Sequence, residues 1–340
     1  LPRIDYTGGE GHWLFEPQRT NSLLQSNQFD TTWSASNATV TSGQIGVGGS
    51  LDAWKLESSG SSSSFIFQGI PTSAVTTRSI YAKAGSVNWF SMNSGGSQFA
   101  YFDLSNGVVG TKSSNIIDAT MESVGDGWYR CSIEIDSQNN FYVFIANADN
   151  SQSSNNGDSI YIQYAQLEQN SFATSYIPTS GAISTRLQDA AFGAGSSDLI
   201  NSTEGTLYAE ISALANTDIG DRTISLSDGS VTNRLELKLS STGSIQGRFD
   251  SASSDITLTK TGIDTSNNNK IVLVWSNGKC ALWINGVKEQ ENLTFNTFSS
   301  NVLSDLSFYS VFIQGSNYFY GKAKCVAVFK EALNNDELEC

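Results

Sequence analysis

Glu134 and Asp136 stand two residues apart in SIEIDS (132–137). On a strand this spacing puts both carboxylates on one face, and cleavage of a glycosidic bond uses such a pair, one as acid and the other as base or nucleophile. The stretch runs directly into the turn residues SQNN, where a solvated strand end is the plainer account, and no E-x-D-x-x-E run occurs in the chain. A Ser or Cys nucleophile needs a nearby base, and the sole histidine, His12, sits beside Trp13 in the opening stretch. GQIGVGGS (43–50) is rich in glycine but carries no Lys-Ser/Thr and opens no helix, so it reads as a loop and not as a phosphate cradle. NADNSQSSNNGD (147–158) offers Asp149, Asn150, Asn156 and Asp158 as oxygen ligands for calcium, without the EF-hand spacing or its closing Glu. No catalytic constellation emerges, and the chain is not expected to be an enzyme.

What remains is aromatic surface. Trp89, Tyr101 and Tyr142 lie in strand-like runs that are apolar on both faces. Sugar rings stack their C–H faces on such side chains while Asn, Gln and Asp nearby bond the hydroxyls. These three are the candidate carbohydrate-binding residues. Trp128, Trp275 and Trp283 read as core, and Tyr318 and Tyr320, either side of Phe319, are weaker candidates. Cys131, Cys280, Cys325 and Cys340 show no CxxC pairing, so zinc-finger spacing is absent. Free buried thiols are expected, with a Cys280–Cys325 bridge as the alternative.

The elements that must position these residues are short strands between polar turns. RSIYAKA, NWFSM, QFAYFDL, WYRCSIEI, FYVFIAN and SIYIQYAQLE are rich in β-branched and aromatic residues and are separated by clusters such as NSGGS and VGDG. A second series runs from TLYAEISAL to FYGKAKCVAVFK. With no amphipathic helices to make parallel crossovers, the expected class is all-β: two β-sandwich (jelly-roll) domains with a short C-terminal helix. In RLELKL, leucines 235, 237 and 239 alternate with Arg234, Glu236 and Lys238, which predicts one buried and one wetted face. EALNNDELEC predicts the helix, with Asn334 as N-cap and Glu337 completing a capping box.

At 340 residues the chain is long enough for two cores. Its 33 acidic against 19 basic residues give a net charge of -14, which opposes binding to nucleic acid or anionic lipid. The most apolar short run, IVLVW (271–275), is far from the length of a membrane helix. A composition break at 176–198 sets the boundaries: an extended lead-in at 1–20, a first domain at 21–178, a linker at 179–198 and a second domain at 199–340.

Several segments carry a resemblance. PRIDYTGG with EPQRTN, YAKAGSVNWFSM and AQLEQNSFATSYIPTSG resemble stretches of bacteriophage and prophage appendage proteins. SLLQSNQFDTTW (22–33), DAWKLE (52–57) and SIYIQYAQLE resemble β-sandwich carbohydrate-binding modules over about residues 20–178. In many such modules a carboxylate on the final strand helps to hold a structural calcium, and Gln163 stands at the comparable place here. NRLELKLSSTG, KIVLVWSNGKCALWINGVK and FYGKAKCVAVFKEALNNDELE resemble the laminin-G or concanavalin A-like lectin fold over about 183–340.

The resemblance implies a non-catalytic tail fibre or head decoration protein that binds host-surface carbohydrate, virion-borne and extracellular. It would work as a homo-oligomer, expected as a trimer, beside other virion proteins, with no cofactor beyond a structural calcium and no membrane insertion. On that reading the chain is one piece of a longer protein whose earlier part attaches to the particle. The alternatives are a polysaccharide-degrading enzyme or its accessory module, and a purely structural virion component.

Overall fold

The computed structural model describes residues 2–6, 9–60, 62–70, 74–95, 98–136, 140–214, 220–311 and 317–339. The chain opens with β1 (Arg3–Asp5) and β2 (His12–Phe15). The middle carries β3 (Arg19–Asn21), β4 (Ser34–Ser36), β5 (Ala38–Gln44), β6 (Ala53–Ser58), β7 (Phe65–Gly69), β8 (Thr76–Ala84) and β9 (Trp89–Gly95). It continues with β10 (Gln98–Asp103), β11 (Val108–Lys112), β12 (Ile116–Gly125), β13 (Trp128–Ile135), β14 (Asn140–Ala146), β15 (Ser159–Glu168) and β16 (Ser184–Arg186). Then come β17 (Gly205–Ala213), β18 (Arg222–Ser227), β19 (Arg234–Leu239), β20 (Ser244–Ser251) and β21 (Ser254–Thr261). The last elements are β22 (Asn269–Ser276), β23 (Lys279–Ile284), β24 (Val287–Asn292), β25 (Asp305–Ser307), β26 (Gly321–Phe329) and α1 (Asn335–Leu338). The protein is all-β, as its residue pattern dictates.

Two compact units emerge, and one is inserted into the sequence of the other: residues 19–186 form the inserted unit, and residues 1–18 with 187–340 form the discontinuous unit. The inserted unit is a sandwich of two six-stranded sheets, β11-β10-β9-β14-β7-β4 and β12-β13-β8-β15-β6-β5. Alternate residues of both sheets fill its core, among them Phe90, Met92, Phe141, Val143, Ile80, Ile133 and Ile160. Its two ends leave side by side, because β3 pairs antiparallel with β16 from Arg19↔Arg186 to Asn21↔Ser184. The sequence boundaries placed the first domain at 21–178 with a linker after it, and this terminal ribbon is what extends the unit to 186.

The discontinuous unit pairs a seven-stranded sheet, β1-β2-β26-β17-β22-β23-β24, with a five-stranded sheet, β21-β20-β19-β18-β25. The opening residues are therefore not a separate lead-in. They supply two strands, with Phe15 opposite Gly321 and Trp13 opposite Ala323, and Phe15 lies in the core. A tight hairpin at Asn277-Gly278 joins β22 to β23 across Ser276↔Lys279. Helix α1 is capped by Asn334, whose side chain accepts from Asp336 and Glu337 while its own N–H donates to Glu337. Its Leu338 joins Val272, Val274 and Trp283 in a satellite cluster.

Two further expectations are corrected. The polar face of β19 is wetted only at Lys238: Arg234 and Glu236 are buried, and residues 309–310 lie over Glu236, with Ser310 donating to Glu236 and Ser225 to the Tyr309 carbonyl. Arg234 meets Asp250 at 2.7 Å, so the buried charge is paired. Cys131 and Cys280 are free and buried, but Cys325 is free and exposed. A register shift between β17 and β26 at Glu210/Ile211 turns Ala323 inward and Cys325 outward. Cys340 lies outside the described residues.

Candidate functional site

The outer face of the sheet containing β9 carries ring side chains from β7, β14, β9 and β10. Strands β7, β14, β9 and β10 are neighbours, and their registers align residues into rows. One row runs Phe67, Tyr142, Asn93, Phe99, and the next runs Phe65, Phe144, Ser91, Tyr101. A third places Trp89 between Ala146 and Asp103. Inward alternation buries Phe90, Met92, Phe141 and Val143 in the core, which forces the intervening residues onto the outer surface.

The rings form two platforms. On one side Phe67 stacks on Tyr142 at 4.9 Å and 22°, and Phe65 lies 4.5 Å from Phe144. On the other, Phe99 meets Tyr101 edge-on at 5.3 Å. Between them β9 contributes Ser91 and Asn93. Ser91 is fully buried and its Oγ has no hydrogen-bond partner among the described residues. Asn93 is 4% exposed, with its Oδ1 accepting from the Gly95 N–H and its Nδ2 without a partner among the described residues. Buried polar atoms left unbonded are destabilising, and local rules of this kind are broken most often at functional sites.

Trp89 closes one end. A Cβ on Gly110 would come within 2.6 Å of its ring and 2.5 Å of Asp149, so only glycine lets the indole lie across β11 at this point. Asp149 accepts from the backbone N–H and the hydroxyl of Thr111 at 2.8 and 2.9 Å. Burial, with the Asp149 charge, raises the Tyr101 phenol above its ordinary range. Asp103 is desolvated, but bonds from Asn106 and Ser105 outweigh that effect and hold its carboxyl low.

The three residues named from sequence therefore share one face of one sheet, with Trp89 and Tyr142 half-buried and Tyr101 3% exposed. Phe65, Phe67, Phe99, Phe144, Ser91 and Asn93 were not singled out. The spacing F-x-F, F-x-Y and Y-x-F in β7, β10 and β14 carried that information, since residues two apart share a face. The carboxylate pair fares differently. Glu134 faces a polar groove of about 190 Å³ with Asp118, Arg130 and Ser132, whereas Asp136 lies exposed beyond the end of β13. Tyr318 and Tyr320 stack on each other at 6.2 Å in the discontinuous unit.

Gln163, at the place where the resembling modules carry a calcium-holding carboxylate, does not fit an ion. Gln163 is fully buried on β15 and its Oε1 accepts from the Val47 N–H at 2.8 Å. Asp52 accepts from Ser50 at 2.5 Å and from the Tyr164 hydroxyl at 2.6 Å, so both its oxygens are engaged. The Gly46 loop closes directly on them, for a Cβ there would stand 2.6 Å from Asp52 and from the Gln163 amide. An amide donor beside a saturated carboxylate occupies the space a cation would need. In the 147–158 loop, Asp149 is bonded by Thr111 and Asp158 by Asn155, and no group of three metal-ligating acidic, Cys or His residues occurs among the described residues.

Tyr164 follows at a bulge of β15 with φ 53, stacked 4.4 Å from Tyr176. Burial and its bond to Asp52 push its phenol up to about 12. Tyr208 in the discontinuous unit is also raised to about 12, by burial and by Glu210. A phenol whose folded pKa exceeds its unfolded value of about 10 contributes stability that is complete below pH 10 and is lost as pH climbs through 12. Denaturant midpoints are therefore expected to fall across that alkaline window, less steeply in Tyr164→Phe; equal slopes for the two proteins would remove Tyr164 from the account.

No family model matches the chain, and no curated protein matches it. Among solved structures it is similar to the Ruminococcus gnavus IT-sialidase CBM40 bound to alpha2,3 sialyllactose, at 19% identity over 40% of this chain and 81% of that one, with a TM-score of 0.35. It is similar to the heptameric SAP-like pentraxin of Limulus polyphemus at 14% identity, over 44% of this chain and 72% of that one, with a TM-score of 0.35. The leech intramolecular trans-sialidase gives 18% identity over 41% of this chain and 23% of that one, with a TM-score of 0.34. Likeness at this level says nothing of what this chain binds.

Proposed function

We propose that the inserted unit is a non-catalytic carbohydrate-binding module whose ligand lies across the outer faces of β7, β14, β9 and β10. The observation that carries this reading is the pairing of two aromatic platforms with a central strip in which the Ser91 hydroxyl and the Asn93 Nδ2 have no hydrogen-bond partner among the described residues. Aromatic faces take the apolar side of sugar rings, and unbonded neutral donors and acceptors take the hydroxyls.

The chain as a whole then serves as an extracellular part of a phage virion appendage, a reading supported by the segments PRIDYTGG, EPQRTN and AQLEQNSFATSYIPTSG. Partly wet sugar sites are individually weak, and repetition on a homo-oligomer raises avidity by about 10² to 10⁴. The test is a glycan array probed with the full chain in monomeric and clustered form. Binding that strengthens on clustering, with no new reducing ends released, is the expected result; a clustered form that binds no glycan would overturn the reading.

A further inference from the structure

We propose that this face takes an uncharged glycan and rejects carboxylated sugars. The inference rests on the reading of the face as a glycan site and adds the ligand's class. The six strands of the sheet carry one cation between them, Lys112, whose ammonium is given to the carbonyls of Ile116 and Ile117 at 3.2 and 3.1 Å. The chain segments that build the face are free of Lys and Arg throughout residues 56–77, 84–111 and 131–185.

Recognition of a carboxylate calls for a fixed cation, most effectively the paired N–H groups of an arginine. None stands here. The charges that do flank the site are negative: Asp103 beside Trp89 in register, and Asp149 against the same indole across Gly110. An acidic sugar laid on the platforms would be stripped of water with no counter-charge and with like charges at one end. The groups without a hydrogen-bond partner among the described residues are neutral: the Ser91 hydroxyl, the Asn93 Nδ2 and the Tyr142 hydroxyl. Hydroxyls and acetamido groups satisfy such groups without bringing a charge.

The test uses the full chain and paired probes that differ only in the acid: lactose with sialyllactose, and neutral oligosaccharides with their uronic-acid counterparts. Each is measured at low and high salt, with Tyr142→Ala as the control that locates binding on this face. The expected result is that a neutral probe binds at least about tenfold more tightly than its acidic partner, with little dependence on salt and with loss in Tyr142→Ala. An acidic probe bound as tightly as its neutral partner, and lost in Tyr142→Ala, would overturn this inference while leaving the glycan reading in place. Binding of no probe, or binding untouched by Tyr142→Ala, would overturn both.

Discussion

Removing residues 1–18 is expected to unfold the discontinuous unit while the inserted unit keeps its structure. Strand β2 lies against β26 in the seven-stranded sheet, so its loss exposes an interior backbone ladder as a new edge. The larger effect is in the core. Phe15 is 3% exposed, stacks on Phe308 at 4.6 Å and 12°, and meets Phe319 edge-on at 5.5 Å. Truncating such a residue costs about 3–5 kcal/mol, a large share of the roughly 5–15 kcal/mol that holds a domain folded. The bonds from the Asp189 N–H to the Glu16 carbonyl and from the Glu16 N–H to the Asp189 carboxylate go with it. Phe15→Ala alone should therefore lower the melting transition of this unit strongly. The excised 19–186 stretch should retain its own transition, since β3 and β16 close its ends on each other and Thr20 bonds Thr185 at 2.7 Å. Calorimetry of the full chain, Phe15→Ala and the excised unit would show this. A variant that melts like the parent would mean that the opening strands contribute nothing to this core.

That an N-terminal stretch belongs to the far end of the chain was not legible in the sequence. Gly and Pro mark where a segment bends, but the partner of β2 is set by topology, and nothing local in HWLF points to GKAKC. The strands themselves were legible, because WYRCSIEI and FYVFIAN are composed of residues that suit a pleated, half-buried surface. Parity was harder. RLELKL alternates like a strand with one wet face, yet residues 309–310 lie over that face at Glu236, and a bulge reverses the alternation at Cys325. At the candidate site, Trp89, Tyr101 and Tyr142 could be named because large aromatics in two-sided apolar strands stand out. Ser91 and Asn93 could not, since a serine or asparagine in a strand becomes notable only when its neighbours on adjacent strands are known to leave it unbonded.

Strand β14 offers a sharper test, for two adjacent ring residues on it should fail in opposite ways. Tyr142→Ala is expected to weaken glycan binding by about tenfold to thirtyfold, the range for losing one anchor of a contact surface. Its cost to stability should stay small, because the half-buried ring gives up cross-strand contacts with Phe67 and Phe65 worth about 0.2–1 kcal/mol each. Phe141 points the other way, is fully buried in the core, and packs edge-on against Trp33 at 5.7 Å. Phe141→Ala should cost about 3–5 kcal/mol and impair binding only through unfolding. Ser91→Ala separates the two effects further. Deleting a buried hydroxyl with no partner removes an unmet desolvation cost of about 1–3 kcal/mol, so the midpoint should hold or rise while affinity falls. Thermal midpoints and titrations with a bound oligosaccharide, measured on all three variants, would decide it. If Ser91→Ala lost stability without losing affinity, its hydroxyl would belong to the fold and the ligand would lie elsewhere on the sheet.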